Sequence, residues 1–261
     1  MILVIDAGNS NIVLGVYQGK NLLNHWRITT LRERTTDEYR LLLQSLLTTS
    51  GIQIQEIQGV AVSSVVPPIM PSLEEAIQEL FRTDPLIVEP GTKTGISIQY
   101  ENPREVGADR IVNAMAAFER FRANTIIVDF GTATTFDVVT AKGEYRGGCI
   151  APGIGISIEA LFQHASKLPR VEFAATSSVI GKTTVESMQA GLYFGYLSLT
   201  DGIVRLIKKG LSEPIHVIAT GGYAPLIAKG SKEIQEVDEF ITLEGLRLIY
   251  EKNQPKNKKE P

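Results

Sequence analysis

Two segments carry a carboxylate to the end of an apolar run, beside glycine and small hydrogen-bonding residues: Ile2-Leu-Val-Ile-Asp6-Ala-Gly8-Asn9-Ser10 and Ile126-Ile-Val-Asp129-Phe-Gly131-Thr132-Ala133-Thr134. A strand ending this way sets its acid beside exposed backbone N–H groups, where a metal-bound phosphate approaches without side-chain obstruction. Gly8 and Gly131 give clearance, and Asn9, Ser10, Thr132, Thr134 and Thr135 offer neutral donors. Asp6 is placed to hold Mg²⁺ through water, since that ion keeps much of its hydration shell. A single Asp-x-Gly is more simply a β-turn. Two copies at equivalent places in two half-chains point instead to paired loops that clasp a polyphosphate.

A third segment, Tyr100-Glu-Asn-Pro-Arg104-Glu-Val-Gly107-Ala108-Asp109-Arg110, sets an acid and a cation at a helix entrance, after a glycine that permits a sharp turn. Phosphoryl transfer to an alcohol needs a carboxylate that accepts the hydroxyl proton. Asp109 fits that role, with Arg110 clamping a substrate carboxylate. The simpler alternative is an acid that favours the helix dipole, worth roughly 0.3 to 1 kcal/mol. A helix N-terminus also lowers an acid's pKa, so a base there is expected to act by position more than by basicity. The pair Gly221-Gly222 between an apolar run and a helical pattern would let a flat ring such as adenine lie on the backbone, or would only make a tight turn. Gly181-Lys182-Thr183 is not a phosphate-binding P-loop, because position 176 is Thr176 where that motif needs glycine, and no strand precedes it. It reads as a helix start, with Thr183 and Glu186 at capping-box spacing and Thr184 able to donate to an anion there.

The elements that must position these residues occur twice. After each acid comes β-rich sequence with a turn signal, Ile12 to Tyr17 then Gly19-Lys20, and Phe136 to Thr140 then Lys142-Gly143. A second echo joins Gly59-Val-Ala-Val-Ser63-Ser64 to His216-Val-Ile-Ala-Thr220-Gly221. Helices are expected from Thr36 through the leucines at 41–47 to a stop at Gly51, from about Ala108 to Arg122, and from Thr183. The expected division is residues 1–115 and 116–261, with a frayed polar tail from about Lys252 that has nothing apolar to bury.

At 261 residues and 43% hydrophobic content, the chain is long enough for a large core or two lobes. A net charge of −3 gives no global reason to expect nucleic acid or an anionic membrane as partner. The one cysteine, Cys149, permits no internal disulfide, and the three histidines show no zinc spacing, which fits a reducing, cytoplasmic setting. No basic leader precedes the first apolar run, and no stretch approaches a membrane span. Cys149 is expected to pack as a small apolar residue, and Lys182 to be a solvated helix-start lysine.

Together these motifs resemble the actin-like, hexokinase-like and Hsp70-like superfamily. More narrowly, the chain resembles the type III pantothenate kinases over almost its whole length. The markers are Asp6-Ala-Gly-Asn-Ser-Asn11, Tyr100, Gly107-Ala-Asp-Arg110, Val128-Asp-Phe-Gly-Thr-Ala-Thr134, Gly147-Gly-Cys-Ile-Ala-Pro-Gly153, Gly181-Lys-Thr-Thr184 and Thr220-Gly-Gly222, with Ser10 where the family commonly has threonine. The resemblance implies an α/β fold of two duplicated ribonuclease-H-like lobes, the actin-like ATPase fold, with ATP in the interlobe cleft. It implies phosphorylation of pantothenate to 4′-phosphopantothenate, the first step toward coenzyme A. Asp6, Ala7, Gly8, Asn9, Ser10, Asn11, Ile12 and Val13 would form the first nucleotide loop, and Thr132 would contact ATP from the second. Asp109 would be the proton acceptor; Tyr100, Gly107, Ala108, Arg110 and Thr184 would hold pantothenate, with Thr184 offered by the second subunit of a homodimer. Asp129 would ligate a monovalent cation, potassium or ammonium, used alongside Mg²⁺. The alternatives are a kinase of another small alcohol or sugar on the same fold, and a nucleotide-binding regulatory protein.

Overall fold

The protein is described by a computed structural model covering residues 1–211 and 214–254. In Ile2–Ala7 (β1), Leu3, Ile5 and Ala7 face one side of the sheet and Val4 and Asp6 the other, as the two-residue period of a strand requires. An antiparallel meander follows through Asn11–Gln18 (β2) and Asn21–Thr29 (β3), turned at Gly19 with φ 58°. Thr36–Thr49 (α1) is opened by a full capping box: Thr35 accepts from Glu38 N, and the Glu38 carboxylate returns to Thr35 N. It closes just before Gly51, at φ 74°.

Gly59–Ser64 (β4) then joins β1 in parallel, Met70–Phe81 (α2) follows, and Leu86–Ile87 (β5) pairs with β4, giving the order β3-β2-β1-β4-β5. Tyr39, Leu43 and Leu47 of α1 and Leu73 and Ile77 of α2 bury against Leu3, Ile5, Leu14, Val60 and Val62 on one face of this sheet. The other face, which carries Val4, Asp6, Ala61 and Ser63, takes the last helix, Ile241–Asn253 (α7), and α7 in turn meets the first part of Ala108–Phe121 (α3) where Gly245 lies on Val112.

The second sheet repeats the pattern. Thr125–Phe130 (β7), Ala133–Val139 (β8) and Glu144–Pro152 (β9) form the meander, and His216–Thr220 (β10) and Glu236–Val237 (β11) continue it in parallel from β7. Ser97–Ile98 (β6) adds an edge strand on β9, so the order is β11-β10-β7-β8-β9-β6. Ile154–His164 (α4), Thr184–Gly210 (α5) and Ala224–Ala228 (α6) cover the face of Ile126, Val128, Phe130, Phe136, Val138 and Val217. The two echoes are therefore register-equivalent: Asp6 lies opposite Ser63 on the parallel neighbour, and Asp129 lies opposite Thr220.

The chain divides into one unit of Met1–Ile96, Tyr100–Ala116 and the residues from Thr242, and a second of Ser97–Gln99 and Ala117–Ile241. The division near 115 expected from the sequence falls beside this boundary inside α3, but the C-terminal helix, assigned there to the second lobe, belongs with the first. Leu243 packs over Gly15, Tyr250 over Gly59, and Lys252 over Gly95. The expected fraying from Lys252 is likewise corrected for its first residues: Lys252 and Asn253 end α7, and Asn253 Nδ2 donates to Lys93 O at 3.0 Å. The remainder of that tail, 255–261, lies outside the described residues.

Candidate active site

Asp6 stands in the sheet one residue before the end of β1, where the Ser63 hydroxyl donates to its Oδ1 at 2.6 Å. Ser63 is itself 0% exposed. Burial pushes the Asp6 carboxyl up to about 7; the Ser63 bond opposes this, and the charge of Asp109 adds to it. Asp109 therefore stands close enough to Asp6 for the two acids to feel each other, the first from the strand end and the second from the opening turn of α3.

The turn before α3 makes that approach possible. Asn102 caps the 3₁₀ turn at Pro103–Glu105, and a Cβ at Gly107 would stand 2.5 Å from Asp109 Oδ1. Any side chain there would displace the carboxylate. The Arg110 N–H donates to Asp109 Oδ1 at 2.8 Å. Burial nevertheless dominates, and the Asp109 pKa is raised despite the lowering exerted by backbone N–H groups and the Arg110 charge. This corrects the expectation from the helix N-terminus: desolvation outweighs the dipole, and Asp109 gains basicity as well as position. Arg110 is buried, at 7% exposure.

The first loop is held from outside its own segment. Gly8 N donates to Asn11 O at 3.0 Å, while Thr30, just past β3, donates from its hydroxyl to Gly8 O at 2.7 Å and from its N–H to Ser10 O at 3.1 Å. Asn9 and Ser10 are exposed, and Asn11 and Val13 are half-buried. Ala7 and Ile12 point their side chains into the core, so they serve the loop through their backbone. Thr30 carried no motif that would single it out in the sequence, and Ser63 stood only at the small-residue end of the second echo, with no partner assigned to it.

In the second unit Asp129 is the penultimate residue of β7 as Asp6 is of β1, close to exposed Gly131 and Thr132. Gly221 closes in on it at φ 89°, where a Cβ would meet Phe130 O at 2.6 Å and Asp129 Oδ1 at 2.8 Å. Two residues proposed as loop donors are not presented there: Thr134 is buried on the core face, and the Thr135 hydroxyl donates to Asp137 Oδ2 at 2.9 Å. Thr183 is the N-cap of α5, accepting from Glu186 N at 3.2 Å, while the Glu186 carboxylate accepts from Lys182 N at 2.7 Å. Thr184 and Lys182 are exposed at that helix start, and Tyr100 is exposed in the first unit. Cys149 is exposed on β9, which corrects the expectation that it packs.

Among the described residues, no group of three or more histidine, cysteine, aspartate or glutamate side chains comes together as a metal cage. The donor set at the first loop nevertheless suits a hard cation. One Asp6 oxygen is engaged by Ser63, a second acid is near, and burial penalises both charges until a cation offsets them.

A family model described as type III pantothenate kinase matches residues 2–206. The type III pantothenate kinase of Myxococcus xanthus (strain DK1622) is 58% identical over 97% of this chain and 99% of its own length. Among solved structures, a Baf family transcriptional activator of Campylobacter jejuni superposes with a TM-score of 0.59 at 18% identity, covering 97% of this chain and 98% of that one. A 2-dehydro-3-deoxygalactonokinase protein of Sinorhizobium meliloti gives 0.57 at 10% identity, covering 98% and 100%. These two likenesses speak for the fold alone, a mixed α/β architecture shared with kinases of the actin-like ATPase fold.

Proposed function

Because this chain belongs to the type III pantothenate kinase family, we propose that it phosphorylates pantothenate with ATP, using Asp109 as base and Asp6 at the head of the phosphate loop. The observation that carries the reading is the pairing of Asp6 with Asp109 on one face of one sheet, both pushed toward protonation by burial. A carboxylate of raised pKa is a stronger proton acceptor, and one fixed by Gly107 and the Arg110 N–H needs little reorganisation to act.

The primary hydroxyl of pantothenate gives its proton to Asp109 as it attacks the γ-phosphoryl in line, releasing ADP and 4′-phosphopantothenate. Bound Mg²⁺ supplies neutralisation of the phosphate charge, and Asp6 would hold it through water. The loop from Asp6 to Val13 faces the phosphates, with Asn9 and Ser10 presenting their side chains. Gly107, Ala108, Arg110, Tyr100 and Thr184 hold the acceptor, and Thr132 contacts the nucleotide.

Asp129 takes a monovalent cation, potassium or ammonium; the support is its strand-end position beside Gly131 and Gly221. A homodimer that lends Thr184 to its partner is supported by the exposed Val179, Ile180 and Val185 around it. An apolar hollow of about 380 Å³ lined by Leu161, Leu168, Met188 and Leu192 lies there too. A cytoplasmic setting is supported by the single cysteine. No helix among the described residues is long and apolar enough to cross a membrane.

The test is an ADP-release assay with purified protein, ATP and Mg²⁺, with and without pantothenate and with potassium exchanged for sodium. Pantothenate-dependent turnover that fades in sodium is the expected result. Turnover with another alcohol but not pantothenate would replace the acceptor, and turnover indifferent to the salt would remove the cation from Asp129.

A further inference from the structure

The proposed base sits on the first turn of α3, and α7 grips that helix one turn further on. Gly245 of α7 lies directly on the α3 backbone: a Cβ there would stand 2.3 Å from the Val112 carbonyl oxygen. Three residues earlier, Thr242 Oγ1 donates to Asn113 Oδ1 at 2.7 Å, and Asn113 is 1% exposed. Val112 and Asn113 follow Asp109 by three and four residues, which sets them on its side of the helix. A shift imposed at either reaches Asp109 within a single rigid turn.

The other side of α7 is anchored on the sheet. Leu243 packs over Gly15 of β2 and Tyr250 over Gly59 of β4, the two strands that flank β1 and Asp6. Arg247 lies with its guanidinium 5.8 Å from the centre of the Tyr17 ring and is held there by Glu244 and Glu251. So one helix contacts both the strands around the first acid and the helix that carries the second.

We infer that Thr242 and Gly245 are positioning residues for phosphoryl transfer, bracing α3 against the sheet and thereby setting where Asp109 stands relative to Asp6. The inference rests on the reading of Asp109 as base. A displacement near 1 Å at a reacting group costs on the order of 100-fold in rate, so small changes in α7 should be visible in turnover.

The experiment uses the full chain with the substitutions Thr242→Val, Thr242→Ser, Gly245→Ala and, as reference, Asp109→Asn, measuring kcat, KM for ATP and the thermal midpoint. Thr242→Val should lower kcat by about tenfold, with KM for ATP within about twofold and the protein folded at the assay temperature. Thr242→Ser, which keeps the donor, should restore kcat, and Gly245→Ala should cost on the order of 100-fold. Full kcat in Thr242→Val beside an inactive Asp109→Asn would overturn the brace and leave the base intact. Equal losses in the Val and Ser variants, or a loss that matches the unfolded fraction, would also overturn it. Wild-type turnover in Asp109→Asn would overturn the base reading itself, and the brace with it.

Discussion

Ser63 donates its hydroxyl to Asp6 Oδ1 at 2.6 Å from the neighbouring parallel strand, and the same register sets Thr220 opposite Asp129 in the second sheet. The bond fixes which Asp6 oxygen remains for a hydrated cation and opposes the rise in its pKa. Ser63→Ala should therefore raise the Mg²⁺ concentration needed for half-maximal rate by several-fold, while Ser63→Thr keeps the wild-type value. Initial rates across a Mg²⁺ titration decide it; overlapping curves for the Ala variant and wild type would show that the bond does nothing for the metal.

Asp6 is a carboxyl group held against its own preference for water. Its pKa in the folded chain, about 7, exceeds the ordinary 3.8, so between these values the folded state binds more protons than the unfolded state. Stability of the metal-free protein should then be greatest below about pH 4 as far as this group is concerned, and should fall as the pH rises toward and through 7. Asp6→Asn removes the charge and keeps the acceptor for Ser63. It should raise stability at pH 8 by up to about 4 kcal/mol while abolishing turnover. Denaturant melts of both proteins at pH 5 and pH 8 measure this, and a variant less stable than wild type at pH 8 would contradict it.

Asp109→Asn keeps the acceptor for the Arg110 N–H but cannot take a proton. Turnover should drop by roughly 10²- to 10⁴-fold with nucleotide affinity nearly unchanged. With Asp109 as the base, the raised pKa should move the acid limb of kcat above the ordinary 3.8, since only the ionised carboxylate accepts. A pH–rate profile and a nucleotide titration separate this from a folding defect.

Gly107→Ala places a methyl group 2.5 Å from Asp109 Oδ1, too close to coexist with the present carboxylate position. The chain at Gly107 is not left-handed, so the backbone tolerates alanine and the fold should persist. Activity should fall toward that of Asp109→Asn. Circular dichroism together with kcat tests this, and an active Gly107→Ala would show that Asp109 has room to stand elsewhere.

Much of the architecture was legible along the chain. The Asp-x-Gly echo, the glycines at the turns and the capping residues Thr35 and Thr183 are local signals, because strand period, turn conformation and cap chemistry are each set within a few residues. They indicate two similar sheets, two loops and a helix opening at Ala108, and the family markers attach an activity to them. What they cannot indicate is which distant residues meet. That Ser63 bonds Asp6, that Thr30 staples the first loop, and that α7 returns to lie on α3 depend on strand pairing and helix packing between residues tens to more than a hundred positions apart. Nor does the type of a residue reveal its desolvation: read from position alone, Asp109 should have had its pKa lowered by the helix end, and burial reversed the sign. The sequence by itself determined the elements and the chemistry they carry, whereas only the tertiary structure decided how much water each acid keeps and what holds it in place, because burial and long-range contact exist only once the chain has closed on itself.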